Sequence, residues 1–349
     1  MDTKIIKIDE DNIEQDKIRE ITEAFNDGKL VVIPTETVYG LGANGFDEEA
    51  CMNIFRAKGR PADNPLILHI AELSQVDELV SEIPEAARDC MEVFWPGPLT
   101  IIMKRSEKIP DVVTAGLDTV AIRMPSHKVA RSILKDCMLP IAAPSANLSG
   151  RPSPTSFKHC REDLEGKVDI IVDGGTTNVG IESTVIDVTS NPPMILRPGG
   201  VTFEDLKTII PNVAIDNTTI DATDEAIPKS PGQKYRHYAP KADAYCFAGN
   251  LEGVVKEVNR RIEENSGKKI AVLATSETIE DYEGADLLIN LGSRENMEEI
   301  AHSLFDALRR CDEENIDIIY AEGFDFRGIG AGIMNRLLKA CGGKVVLGL

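Results

Sequence analysis

The chain has 349 residues, of which 42% are apolar and 28% charged, and a formal net charge of −20. That length exceeds one ordinary core and predicts two domains. The charge argues against tight non-specific binding to nucleic acid, so any anion must meet a local basic site.

Residues 16–27 place Ile18, Ile21 and Phe25 on one helical face, and Gly28 ends the run. KLVVIPT (29–35) reads as a buried strand. PTETVYGLGANG (34–45) reads as a turn whose glycines either admit a ligand to the backbone or merely close the turn. Asp47 caps a helix through Ile54 and Phe55, with Gly59 as its stop. In AKGRPADNPLILHI (57–70), Lys58 and Arg60 stand on a fixed loop. Two such cations either clamp a polyphosphate or form a solvated basic turn. Asn64 and Pro65 lead into a strand carrying His69.

A helix from Pro84 to Phe94 breaks at WPGP. The strands LTIIMK, TVAIRMP, LPIAAP, VDIIVDG, STVIDVT and MILRPG follow, with helices near 127–136 and 155–164. Arg123 alternates inward, and a buried arginine needs an anion from the protein or from a ligand. APSANLSGRPS is rich in hydroxyl and amide groups on a proline-stiffened loop, suited to sugar or phosphate and equally to any turn. Ser183 opens a strand and Arg197 ends one, at strand ends where α/β sheets bind ligands. Thr202 opens a last helix with Asp205 three residues on.

These elements make an α/β domain over residues 1–211. Residues 212–242 carry little apolar periodicity and several prolines, and read as a long, functional linker. Residues 243–349 alternate strands (268–275, 285–292, 316–323) with helices (294–312, 332–341), which predicts a small doubly wound domain.

No apolar run reaches membrane length, and the first residues lack the core of a secretory leader. Seven scattered cysteines without a CxxC pair read as reduced thiols, with no structural zinc. A cytoplasmic protein is expected. There is no phosphate-binding GxxxxGK[ST]. GIGAGI (328–333) lacks the third glycine of a dinucleotide fingerprint and reads as a tight strand-to-helix turn. No catalytic triad and no metal-ligating cluster is legible, and the five histidines read as structural.

Taken in order, PTETVYGLGANG, KGRPADNPLILHI, WPGPLT, VAIRMPSH, APSANLSGRPSPT, GIESTVIDV and LRPGGV resemble the motif series of the YrdC-type threonylcarbamoyl-AMP synthases. KGR and SAN resemble that family's KxR…SxN signature. The linker SPGQKYRHYAPKA and the small second domain resemble the family's longer branch, with Gln233 a mild departure.

The resemblance implies a YrdC-like twisted mixed α/β domain, a long linker and a Rossmann-like doubly wound domain. It also implies an enzyme that makes L-threonylcarbamoyl-AMP and pyrophosphate from L-threonine, bicarbonate or CO2, and ATP. A downstream transferase would then modify adenosine 37 of tRNAs that read codons beginning with A. By motif, Thr35, His69, Arg123, Ala143 and Ser183 would hold threonine. Arg60, Asn64, Thr119, Ser145, Ser153, Arg197 and Tyr235 would hold the nucleotide. Lys58 and Asn147 would stand close to the phosphates or the carbamate, with Lys58, Arg60 and Asn147 as the catalytic set. Mg2+ would arrive with ATP, not in a protein cage. Residues 230–240 would close as a lid, with Tyr235 on the nucleotide and Lys234 and Arg236 adding positive charge. The alternative is an RNA-binding or assembly module without adenylation activity, which the net charge disfavours.

Overall fold

The computed structural model describes residues 2–216 and 237–348. They fall into two compact units, residues 2–149 with 153–216, and residues 150–152 with 237–348.

In the first unit the described residues form one mixed sheet of eleven strands. Its order is β1 (Lys4–Lys7), β8 (Ile170–Asp173), β2 (Val31–Ile33), β3 (Gly40–Asn44), β7 (Ile141–Ala142), β4 (Ile67–His69), β6 (Thr119–Arg123), β5 (Leu99–Lys104), β9 (Thr184–Asp187), β10 (Met194–Arg197) and β11 (Ala214–Ile215). The helices are α1 (Gln15–Asn26), α2 (Glu48–Lys58), α3 (Val76–Leu79), α4 (Glu85–Phe94), α5 (Asp111–Thr114), α6 (Lys128–Cys137), α7 (Phe157–Leu164) and α8 (Phe203–Ile209).

Local chemistry sets several of these boundaries. Asp47 accepts from the Ala50 amide at the start of α2, and Gly59 ends the helix in the left-handed region at φ 61°. Glu48 and Glu49 in its first turn and Arg56 and Lys58 in its last match the helix dipole. Thr202 and Asp205 close a reciprocal capping box on α8.

Three readings of the sequence need correction. PTETVYGLGANG is not only a turn, because Gly40–Asn44 form β3, antiparallel to β2. Its glycines serve close packing: a Cβ on Gly42 would meet Ile141 Cγ2 at 2.8 Å and the Phe25 ring at 3.0 Å. GIGAGI is not a turn before a helix either, because α11 (Ile329–Ala340) already begins inside it. A Cβ on Gly330 would lie 2.3 Å from the Asp325 carbonyl oxygen. Ala214 and Ile215, inside the stretch read as linker, add β11 parallel to β10.

The larger apolar cluster joins α2, α4, α7 and α8 to Val32, Leu68, Ile101 and Ile122 on one face of the sheet. On the other face α1 and α6 cover β1, β8, β2 and Ile141. Further along that second face lies a small cluster built from strands alone: Ile67, Ile102, Ala121, Val185 and Leu196.

The second unit contains β12 (Asp243–Ala248), α9 (Leu251–Glu264), β13 (Ile270–Ala274), β14 (Leu287–Asn290), α10 (Met297–Glu313), β15 (Ile318–Glu322), α11 and β16 (Val345–Leu347). Its strands run in the order β14-β13-β15-β12-β16, and every pair is parallel. Alternating helices and parallel strands make this the Rossmann-like arrangement expected. All seven cysteines are buried free thiols. Among the described residues no helix is long and apolar enough to cross a membrane.

Candidate active site

Strand register builds the site. His69 pairs with Arg123, Arg123 with Thr100, Thr100 with Val185, and Val185 with Arg197. Directly paired residues point to the same face. The strands β4, β6 and β5 therefore present His69, Arg123 and Thr100 in one row, and Arg197, past a register shift in β10, joins it through Ser183. The row lies on the face where the small strand-only cluster sits.

Two buried cations, Arg123 and Arg197, stand here although the chain is strongly acidic. Lys58, Arg123 and Arg197 are all at least nine-tenths buried. Arg123 donates from Nη1 to Thr37 Oγ1 at 2.7 Å and from Nε to the Gly97 carbonyl at 3.2 Å, and its Nη2 stands 2.6 Å from Glu36 Oε1. Burial alone would push the Glu36 carboxyl up, but Arg123 holds it below the usual carboxylate range. Thr35 Oγ1 lies 2.9 Å from Thr37 Oγ1 and donates to the Val38 carbonyl at 2.6 Å. Arg197 donates to Ser183 twice, to its carbonyl at 3.0 Å and its Oγ at 3.1 Å. Ser183 Oγ also lies 2.7 Å from Thr100 Oγ1.

His69 is pushed down to about 3 by burial and by the Arg123 charge, so its imidazole is neutral. Its Nδ1 lies 3.2 Å from the Ile67 carbonyl, which can only accept. The tautomer protonated at Nδ1 donates to this carbonyl and leaves Nε2 as an acceptor.

A second group surrounds the loop after β7. Lys58 Nζ donates to the carbonyls of Ser145 and Asn147, the latter at 2.6 Å. Ser145 Oγ donates to Asn147 Oδ1 at 2.5 Å. The Ala146 amide donates to Tyr39 O, and Gly40 bridges Ser145, which ties this loop to the segment carrying Thr35 and Glu36. Ala143 donates its N–H to the Ile67 carbonyl, so the group it can offer a ligand is its own carbonyl. Arg60 Nη2 reaches the Asn64 carbonyl at 3.1 Å. Asn64 is fully buried, yet neither atom of its side-chain amide has a partner among the described residues. Ser153, also fully buried, donates to Glu182.

The structure thus gathers Thr35, His69, Arg123, Ser183 and Arg197 in one group, and Lys58, Ser145 and Asn147 in another. Thr119 stands apart, four residues before Arg123 on the same face of β6, roughly 13 Å away. Lys234, Tyr235 and Arg236 lie outside the described residues. Sequence reasoning gave no role to Glu36, Thr37, Thr100 and Glu182. Glu36 and Thr37 were visible in the motif PTETV, but only the fold shows that they meet Arg123.

Buried cations, a neutral imidazole and clustered hydroxyls on one sheet face define a class of enzyme that binds small anionic substrates and works by positioning them. The Sua5/YciO/YrdC family model, described as telomere recombination, matches residues 23–199, and that of the threonylcarbamoyl-AMP synthase C-terminal domain matches residues 201–342. The chain is 48% identical over 350 residues to the threonylcarbamoyl-AMP synthase of Pyrococcus abyssi, covering 99% of each. It is 45% identical to that of Bacillus subtilis, covering 97% of this chain and 96% of the other. The crystal structure of P. abyssi Sua5 complexed with L-threonine superposes with a TM-score of 0.93 at 47% identity, covering 99% of both chains. The chain belongs to the Sua5/YrdC family of threonylcarbamoyl-AMP synthases, in its two-domain form.

Proposed function

We propose that the chain condenses L-threonine, bicarbonate or CO2, and ATP into L-threonylcarbamoyl-AMP and pyrophosphate. The observation that carries this reading is the buried row of His69, Arg123 and Thr100, joined by Arg197 through Ser183, with Lys58 at the end of α2 holding the loop of Ser145 and Asn147. Arg123 would pair with the carboxylate of threonine. His69 Nε2, the Ala143 carbonyl, Thr35 and Ser183 would take its polar groups. Arg60, Asn64, Thr119, Ser145, Ser153 and Arg197 would hold the nucleotide, and the unpartnered Asn64 amide is suited to a base or ribose. Lys58 would fix the Ser145–Asn147 loop against the phosphates.

The chemistry needs no protein nucleophile. Threonine's amine adds to CO2 and loses a proton, giving a carbamate anion. A carbamate oxygen attacks the α-phosphorus in line, and pyrophosphate leaves with the bonding pair. Positioning and charge stabilisation then lower the barrier. Mg2+ would be carried by the ATP phosphates, where it would neutralise their charge. The product is a mixed anhydride, so a transferase acting on tRNA would consume it, and tRNA need not bind here.

Pyrophosphate release tests the reading. We expect release that requires ATP, L-threonine and bicarbonate together. Release indifferent to threonine would overturn it.

A further inference from the structure

Glu36 is buried beside Arg123, and its carboxylate is incompletely satisfied. Only 4% of the residue is exposed. Oε1 faces Arg123 Nη2 at 2.6 Å, yet neither carboxylate oxygen completes a hydrogen bond of good geometry. The backbone amides of Glu36 and Ser126 help Arg123 to hold the carboxylate below its usual range. Buried carboxylates are ordinarily supplied with donors. Arg123 has its own anchors on Thr37 and Gly97, so its guanidinium is held in orientation without Glu36. The remaining ionisable groups that feel Glu36 are His69, which is neutral, and His127.

A second anion arriving at Arg123 would meet a cation that is already paired. A zwitterion avoids this penalty, because its ammonium supplies Glu36 with the positive charge that the incoming carboxylate draws from Arg123. We propose that Glu36 is the counter-charge for the α-ammonium of L-threonine, and that Glu36 and Arg123 together select a zwitterionic amino acid. The proposal rests on the reading that Arg123 holds the threonine carboxylate.

Two analogues separate the two halves, with binding to the full-length protein measured by calorimetry. 2,3-Dihydroxybutyrate keeps the carboxylate and lacks the ammonium. Threoninol keeps the ammonium and lacks the carboxylate. In the native protein each binds roughly 10- to 100-fold more weakly than L-threonine, the range for one charge-assisted contact. Glu36→Gln weakens L-threonine and threoninol by a similar factor and leaves dihydroxybutyrate unchanged or tighter. Equal weakening of all three ligands would reduce Glu36 to a structural support and overturn the proposal.

Native binding of threoninol as tight as that of threonine would instead remove the Arg123 reading, leaving the Glu36 comparison intact. If Glu36→Gln fails to fold, the native protein still decides. Dihydroxybutyrate bound as tightly as threonine refutes the ammonium contact, and a 10- to 100-fold deficit supports it.

Discussion

Lys58 shows how one side chain couples structure to catalysis. Its ammonium is 3% exposed as a residue and is committed to the carbonyls of Ser145 and Asn147. A hydrogen bond to a charged group contributes about 1.5–3 kcal/mol. Lys58→Met leaves two carbonyls without their donor and releases the loop that carries Ser145 and Asn147. We expect a loss of about 2–4 kcal/mol in urea unfolding and a fall in kcat of at least about 100-fold, by analogy with removing one charge-stabilising donor. A stable variant with native kcat would exclude Lys58 from the site. Arg123 was legible as inward-facing from strand alternation. Its partner was not, because Glu36 lies 87 positions away and reaches it only through the sheet.

At the scale of the element, glycines decide where strands may approach. A Cβ on Gly199 would lie 2.3 Å from the Glu182 carbonyl and 2.6 Å from the Thr184 amide nitrogen. These are backbone atoms that cannot rotate away. Gly199→Ala must displace the entry to β9, which carries Ser183, from Arg197. We expect steady-state kinetics to show a fall in kcat/KM of about 100-fold, the order associated with a displacement near 1 Å. Gly42→Val tests the neighbouring case. It pushes β3 against Ile141 and Phe25, and overpacking of this kind costs about 1–3 kcal/mol in thermal or urea unfolding.

The same glycines explain what the sequence concealed. β3 reads as a turn because GLGAN has neither β-branched residues nor clean alternation, and the packing that requires small residues comes from α1 and β7. The caps of α2 and α8 were legible because Asp47, Gly59 and Thr202 act on backbone groups within four residues. The start of α11 was not, because Gly328 and Gly330 normally signal a turn and tertiary packing overrides that local signal.

For the whole molecule, His69, His127 and Glu36 make stability fall toward acid. Burial and the Arg123 charge push His69 down to about 3 from its ordinary 6.5. Between those values the unfolded chain binds a proton that the folded chain does not, so stability rises with pH across the window and falls on acidification. His127, lowered by burial, acts in the same direction. Glu36 adds stability that is complete above the ordinary carboxylate range and lost as pH falls through its lower folded value. Each histidine contributes a slope of at most ~1.4 kcal/mol per pH unit. Urea unfolding between pH 4 and pH 7 should therefore show stability falling toward acid, with a shallower dependence in His69→Gln. A dependence unchanged by that substitution would mean that His69 is not buried neutral.

The two-unit organisation, the parallel second sheet and the order of the site motifs were all readable from the sequence. The cross-strand row was not, since register sets it and no local pattern records register.

The central claim is that a threonine carbamate, not a protein side chain, attacks the α-phosphate. The most direct test incubates the full-length protein with ATP, L-threonine and 13C-bicarbonate and reads the products by rapid-quench mass spectrometry. We predict threonylcarbamoyl-AMP carrying one 13C, matched mole for mole by pyrophosphate, with no adenylylated protein at any time. An adenylylated chain that forms before the product, or a product without the label, would contradict the account.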